Sequence, residues 1–448
     1  MKEEQTTMVQ ISDLLRGYTI RIEASPSASR MRVYRRLLVI FSTAKDSRVV
    51  GRTTYRLGDL ILMMFLSVLA GADSYRDMEE FWKIQSKLYL RIFYDYHGRV
   101  PSHDCFRHVL GVTDPAELNR VLVAVLTSSE ASLRKALKLP EREYRHVCVD
   151  GKQLRGTGRV LKEGVGEIRD LQSLNVYDNT SDICLYSSAI DTKTNEIPTA
   201  QEILRGMELK NCVVTFDAMN TQKETCAVVR DRKGDYVGGL KGNHGNLMSA
   251  VQCMFTRDVK DGLKAGGGDG YAVTREISHN QLEEREFHVL PLTPSQRKGF
   301  FSEWAGIRSV VCYVKTCTNN ITGKVTSETR YYITSLKDTD WIAATIRGHW
   351  GVENRLHNGL DTVFMEDLLS DADRNAAMNR DALCKACLSV IRKYQDIKGY
   401  KGELSKRGLR KMMGWGFEQQ LAEYVTLLDP KAIEECLIVK PKEKKGKA

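Results

Sequence analysis

Two stretches decide the architecture: Tyr144-Arg-His-Val-Cys-Val-Asp-Gly-Lys-Gln-Leu-Arg-Gly156 and Cys212-Val-Val-Thr-Phe-Asp-Ala-Met219. Each is a short β-prone run that closes on an aspartate, Asp150 in the first and Asp217 in the second. A carboxylate at the end of a buried strand is desolvated and costly unless something pairs with it, and a divalent cation is a ready partner. Taken singly, an aspartate after a strand is more often a turn residue or a helix N-cap.

Working outward, Leu174-Asn-Val-Tyr177 and Ile183-Cys-Leu-Tyr-Ser-Ser-Ala-Ile190 read as further strands joined by the turn Asp178-Asn-Thr-Ser-Asp182. A helix from about Pro198 to Met207, the strand 212–216, a helix from Thr221 to Arg230 and the strand 236–240 follow. Three strands in a hairpin-rich order, then alternating helix and strand, is the order of a ribonuclease-H-like α/β domain. The polar stretch 255–298, with Gly266-Gly-Gly-Asp-Gly270, reads as an insertion in it. Strands near 310–315 and 329–334 and a helical segment from about Asp338 complete a domain spanning 139–430.

Ahead of it, 46–138 has helical apolar spacing and reads as a small helical N-terminal domain. In it, Pro101-Ser-His-Asp resembles a helix start with Ser102 or Asp104 as cap. Residues 1–45, rich in arginine, read as a basic flexible arm, and 431–448 as a basic, disordered tail. Lys and Arg outnumber Asp and Glu by 67 to 57, a formal charge of +10 that favours a polyanionic partner without proving one. The most apolar stretch, Leu60 to Ala72, is well short of the ~18 residues a membrane span needs and reads as a buried helix. No secretion signal is evident, so a cytoplasmic protein is expected. The 11 cysteines are then free thiols. Cys384 and Cys387 form a CxxC that Cys312 and Cys317 could complete as zinc ligands, but the simpler reading is one face of an amphipathic helix.

A third carboxylate stands in Arg347-Gly-His-Trp-Gly-Val-Glu-Asn-Arg-Leu-His-Asn-Gly-Leu-Asp361. On a helix, His349, Glu353, His357 and Asp361 share one polar face, beside an apolar stripe of Val352, Leu356 and Leu360. Glu366 and Asp367 are its rivals. Magnesium takes carboxylate oxygens and keeps several waters, so two or three carboxylates suit a pair of such ions. Two ions about 4 Å apart serve in-line phosphodiester displacement. Lys152, Arg155, Lys241, Asn243, Arg347 and His349 lie near these motifs and are candidate phosphate contacts, with solvated charge as the plain alternative.

At these residues the chain resembles the ISAs-type DDE transposases, the group that includes the H-repeat-associated proteins. The likeness rests on motifs in order: Asp46-Ser-Arg through Tyr55-Arg-Leu57, Leu69-Ala-Gly-Ala-Asp-Ser-Tyr75, Pro101-Ser-His-Asp-Cys-Phe-Arg107, Val149-Asp-Gly-Lys-Gln-Leu-Arg-Gly156, Lys193-Thr-Asn-Glu-Ile-Pro198, Thr215-Phe-Asp-Ala-Met-Asn-Thr-Gln222, Tyr236-Val-Gly-Gly-Leu-Lys-Gly-Asn243, Tyr331-Tyr-Ile-Thr-Ser-Leu336 and Arg347-Gly-His-Trp-Gly-Val-Glu-Asn354. The resemblance implies Asp150, Asp217 and Glu353 as a catalytic triad holding two Mg2+ ions, with Mn2+ as a substitute. It implies double-stranded DNA, as transposon ends and target, for a partner, and a homo-oligomer on that DNA. The chain departs from the pattern at Asn358, where the family usually has Trp, and at His349 and Leu360, where wider relatives carry Arg and Lys. Rival readings are a nuclease of the same fold and a decayed transposase that only binds DNA.

Overall fold

The computed structural model describes residues 18–22, 27–49, 51–139, 144–160, 167–190, 196–266, 269–278, 280–368, 371–398 and 404–441. The chain opens with β1 (Tyr18–Ile22), α1 (Ser27–Phe41), α2 (Leu57–Leu69), α3 (Tyr75–Ile84), α4 (Ser86–Ile92), α5 (His103–Val112) and α6 (Pro115–Ala136). Next come β2 (Arg145–Leu154), the short pair β3 (Arg159–Val160) and β4 (Glu167–Ile168), β5 (Leu171–Asp178), β6 (Ile183–Ile190), α7 (Glu196–Gly206), β7 (Cys212–Phe216), α8 (Lys223–Asp231) and β8 (Asp235–Leu240). Then follow α9 (Gly245–Met254), α10 (Arg257–Gly266), β9 (Tyr271–Ser278), β10 (Gln281–Pro291), α11 (Pro294–Lys298), β11 (Ser309–Asn319), β12 (Val325–Thr334) and α12 (Thr339–Gly351). A π-helical turn, Val352–His357, leads into α13 (Asn358–Val363), α14 (Arg374–Lys398), α15 (Lys406–Trp415), α16 (Phe417–Thr426), α17 (Pro430–Cys436) and β13 (Leu437–Pro441).

The fold is mixed α/β, and the chain divides into two compact units. One comprises Arg142–Asp150 and Thr192–Val352, with Met1–Met8; the other comprises Val9–Glu141, Gly151–Asp191 and Glu353–Ala448. The separate N-terminal domain expected for 46–138 is therefore grouped with later segments of the chain.

In the first unit the strand order is β2-β7-β8-β12-β11-β10-β9. β2, β7 and β8 run parallel, and β8, β12, β11, β10 and β9 pair antiparallel. Parallel strands are covered on both faces and so read as continuous apolar runs; every residue of β7 is buried. One face is closed by α12, whose Ile342, Ala343 and Ile346 pack with Val213, Val237, Phe287, Val289 and Val311. The stretch 255–298 is thus more than a polar insertion. Its second half supplies two strands, and Phe287 and Val289 of β10 are fully buried in this core.

The second unit is organised around the 25-residue helix α14. It packs on α2, α5, α6 and β6. α2, read as a buried helix, has all its residues buried. Among the described residues no helix is long and apolar enough to cross a membrane. Ser102 caps α5 by accepting a hydrogen bond from the Cys105 amide. Gly359, a weak point for a helix by its propensity, is there for room: a Cβ would lie 2.7 Å from Leu388 Cδ2, so α13 approaches α14 at this glycine.

The described parts of both basic ends form regular elements. Val33, Tyr34, Leu37 and Phe41 form a buried stripe along α1, and Arg32 pairs with Glu435 of α17 at 2.8 Å. β1 pairs antiparallel with β13, Tyr18 opposite Pro441. The remaining parts of the expected arm and tail, 1–17, 23–26 and 442–448, lie outside the described residues.

Candidate active site

The parallel register of β2 and β7 ends at Val149 opposite Phe216. The next residue on each chain is an aspartate, Asp150 and Asp217, and both are half-buried. β7 stops there. Asp217 turns the chain by accepting hydrogen bonds at Oδ1 from the amides of Met219 (3.1 Å) and Asn220 (3.0 Å). Its carbonyl accepts from Thr221 Oγ1 at 2.7 Å. Gly238 on β8 makes room for this turn, since a Cβ there would meet Thr221 Oγ1 at 2.8 Å. The second oxygen of Asp217, Oδ2, carries no hydrogen bond among the described residues. β2, by contrast, runs on to Leu154, so Asp150 lies within a strand and not at its end as expected.

Residues expected to reach phosphates have several different roles. Lys241 is exposed. Asn243 donates through Nδ2 to the Ala218 carbonyl at 2.7 Å, and His244 Nε2 lies 3.0 Å from the same oxygen, so both brace the residue after Asp217. Arg347 is paired with Glu276 of β9 at 2.8 Å. His349 Nδ1 lies 2.9 Å from Thr215 Oγ1, which lies 3.0 Å from His146 Nε2. Burial pushes the His349 imidazole down to about 4, although the nearby Asp217 carboxylate works in the opposite direction. The contact with Thr215 ties α12 to β7.

The second unit contains Glu353, exposed on the π-helical turn. The polar face expected there is not uniformly solvated. His357 lies 3.5 Å from Asn175 Nδ2, and Asp361 takes a 2.6 Å ion pair from Lys152. Lys152, a candidate phosphate contact, is only 8% exposed, and its Nζ also lies 2.6 Å from Glu366 Oε2. Burial disfavours its ammonium, but Glu366 and Asp361 outweigh that and hold the pKa above the ordinary lysine value. The charge is satisfied inside the protein. Arg155 is largely exposed, with Nη1 3.4 Å from Asp367.

Glu366 is itself buried, and burial together with the Asp381 carboxylate pushes its pKa up to about 8, with Lys152 opposing. Asp381 is ion-paired with Lys385, which also donates to Ser187 Oγ at 2.8 Å. Glu366 and Asp367, the rivals for the third carboxylate, are therefore both engaged with cations. Cys384 and Cys387 are buried on α14, and burial raises the Cys384 thiol to about 12. Among the described residues no three His, Cys, Asp or Glu side chains are grouped as a metal site.

Glu196 was not among the expected site residues. Its Oε1 accepts from Asn220 Nδ2 at 2.7 Å, and the same nitrogen lies 3.3 Å from Asp217 Oδ1. Burial raises the Glu196 pKa; the Asn220 bond opposes this and the Asp217 charge adds to it. The signal was present in Lys193-Thr-Asn-Glu-Ile-Pro198, a motif noted for the resemblance and not for its acid.

Residues 141–390 match the family described as Transposase DDE domain, and residues 38–125 match the one described as DDE_Tnp_1-associated. The chain belongs to the DDE transposase family. This family generally works with divalent metals. Among relatives of this DDE transposase-family chain is the "Putative transposase YncI" of Escherichia coli O157:H7, 28% identical over 368 residues, 81% of this chain and 89% of the relative. Another is the "H repeat-associated putative transposase YhhI" of Escherichia coli strain K12, 26% identical over 383 residues, 85% and 94% of the two chains. A cryo-EM structure of the piggyBac transposase synaptic complex with hairpin DNA aligns over 93% of this family member and 84% of that chain, with a TM-score of 0.36 and 11% identity. That likeness is too slight to bear on the site.

Proposed function

We propose that this protein is a DNA transposase that cuts the ends of an insertion sequence and joins them to target DNA, with Asp150, Asp217 and Glu353 as its catalytic carboxylates. The observation that carries the reading is the β2–β7 register, which sets two aspartates directly after the last parallel pair, Val149 with Phe216. Neighbouring strands are about 4.8 Å apart, a spacing at which two carboxylates can share cations. The free Oδ2 of Asp217 and the all-oxygen donor set suit a hard cation. Glu353 is the third member because it is exposed on a π-helical turn, an irregularity frequent at functional sites, whereas Glu366 and Asp367 already face cations. Two Mg2+ ions held there, with Mn2+ as a substitute, would supply polarisation of the phosphate and a lowered pKa for the attacking water or 3′-hydroxyl.

The chain's own contribution is geometry. The turn after Asp217 fixes that carboxylate, Asn243 and His244 brace the turn, and Thr215 holds α12 through His349. Lys241 and Arg155, both solvent-facing, are offered to DNA phosphates. The β5–β6 hairpin, β2, and the parallel strands β7 and β8, with α7 before β7 and α8 between the two, support a ribonuclease-H-like catalytic domain over 139–430. On this reading 46–138 is the DNA-binding region, and the protein acts in the cytoplasm as a homo-oligomer on double-stranded DNA.

The test is Mg2+-dependent nicking and joining of DNA carrying the element's own ends, with wild type set against Asp150→Asn, Asp217→Asn and Glu353→Gln. Loss of both steps in all three, with DNA binding retained, supports the transposase. Cutting without joining in the wild type identifies a nuclease. Binding without cutting identifies a decayed, binding-only protein.

A further inference from the structure

The helices of 57–136 carry a feature that the carboxylate chemistry does not use. Between the loop 47–55 and α5 lies a cavity of about 550 Å3, walled by Arg52, Thr53, Thr54 and Tyr55 on one side and by His108 and Val112 on the other. Its lining contains arginine, histidine and hydroxyl groups and no carboxylate.

The loop wall is built rather than incidental. Arg48 grips Asp46 with Nε at 2.9 Å and Nη2 at 2.8 Å, and the same Nη2 donates to the Tyr55 carbonyl at 3.0 Å. The Arg48 guanidinium holds the Asp46 carboxyl below its ordinary range, so the one acid of the loop is already neutralised. Ser47 Oγ donates to the Val112 carbonyl at 2.7 Å and closes the loop onto α5. Tyr55 is held edge-on against Tyr96 at 4.8 Å, and its hydroxyl donates to the Arg99 carbonyl at 3.3 Å.

Against that fixed frame, Arg52 and His108 are exposed and have no side-chain partner among the described residues. Arg99 is exposed nearby, close enough to act on the Tyr55 hydroxyl electrostatically. A cleft with an unmatched guanidinium, threonine hydroxyls, an apolar side chain and no acid suits a phosphodiester with its sugar.

We infer that this cleft is a docking site for the DNA backbone, with Arg52 and His108 on a phosphate and the sugar against the exposed Val112. The inference rests on the transposase reading only for its choice of anion; the contact is independent of the carboxylates and of metal.

The experiment is fluorescence anisotropy of a labelled duplex carrying the element's ends, titrated with full-length protein in EDTA at several salt concentrations. The Arg52→Ala/His108→Ala double variant changes only exposed side chains and should lose about tenfold in affinity, with the slope of log K against log salt reduced by about one. Val112→Trp, which fills the cleft and leaves Arg52 and His108 in place, should weaken binding with the slope unchanged. Affinity and slope equal to wild type in the double variant overturn the inference, and so does full affinity in Val112→Trp, because the cleft is then not entered. Wild-type protein that binds no DNA removes this inference together with the transposase reading.

Discussion

Lys152 Nζ sits 2.6 Å from Glu366 Oε2 and 2.6 Å from Asp361 Oδ1, joining the strand just past Asp150 to the segment that follows Glu353. Removing the lysine leaves the buried Glu366 carboxyl without its polar partner, at about 1–3 kcal/mol. Lys152→Met is therefore expected to lower the midpoint of urea unfolding far more than Arg155→Ala, whose exposed contact contributes little. Equal midpoints for the two variants would show that the buried pair is not a structural tie.

Glu366 makes stability depend on pH in a definite direction. Its folded pKa is raised from 4.5 to about 8, so the folded state holds a proton that the unfolded state has released across that interval. Its contribution is full below about pH 4.5 and is lost as pH rises through about 8. Melting temperatures from pH 5 to 9 should show Glu366→Gln gaining on wild type as pH rises. A constant difference between the two would refute the raised pKa.

The His349–Thr215 contact is expected to behave as a structural tie. Each of His349→Ala and Thr215→Val should cost about 1 kcal/mol, and the double variant less than the sum, because both remove one interaction. If His349→Ala also lowers the salt dependence of DNA binding, the side chain is more than a structural tie.

Asn220 bridges Glu196 and Asp217, and removing it frees both carboxylates to shift. Groups that orient a metal-binding side chain typically contribute 10- to 100-fold in metal affinity. Asn220→Ala should raise the Mg2+ concentration needed for half-maximal nicking by about that factor, while DNA binding in EDTA stays at the wild-type level. Unchanged Mg2+ dependence would detach Glu196 and Asn220 from the site.

Much of the first unit was legible because its signals are local. β7, β8, α7 and α8 fall within a few residues of their expected ranges, since buried parallel strands and amphipathic helices have periods visible over ten residues. β9 was not legible. Tyr271-Ala-Val-Thr-Arg-Glu-Ile-Ser278 is an outer strand whose exposed, charged residues conceal its pairing with β10. Nor could composition show that β2 continues past Asp150, because Lys152 is buried by partners more than 200 residues away and not by its own character. The arginines of α1 concealed an apolar stripe whose spacing is helical throughout. At the candidate site, Asp150 and Asp217 were visible as residue types in context, while Asn220, Glu196 and Thr215 act through hydrogen bonds that have no signature in one dimension.

The π-helical turn at Val352–His357 bears on how the third acid can move. An α-helix turns about 100° per residue, so a turn wound one residue wide is a stored insertion: rewinding it would swing an acid on that turn around the axis. Such a turn has a looser amide ladder than its neighbours, and the amides of 353–357 should exchange with deuterium sooner than those of 342–346 in α12. Deleting one residue from 354–356 would regularise the helix and lock its pitch. If this elasticity is what lets the acid follow a changing phosphorus geometry, the deletion variant should keep its fold and its hold on DNA while losing the ability to pass from cutting to joining.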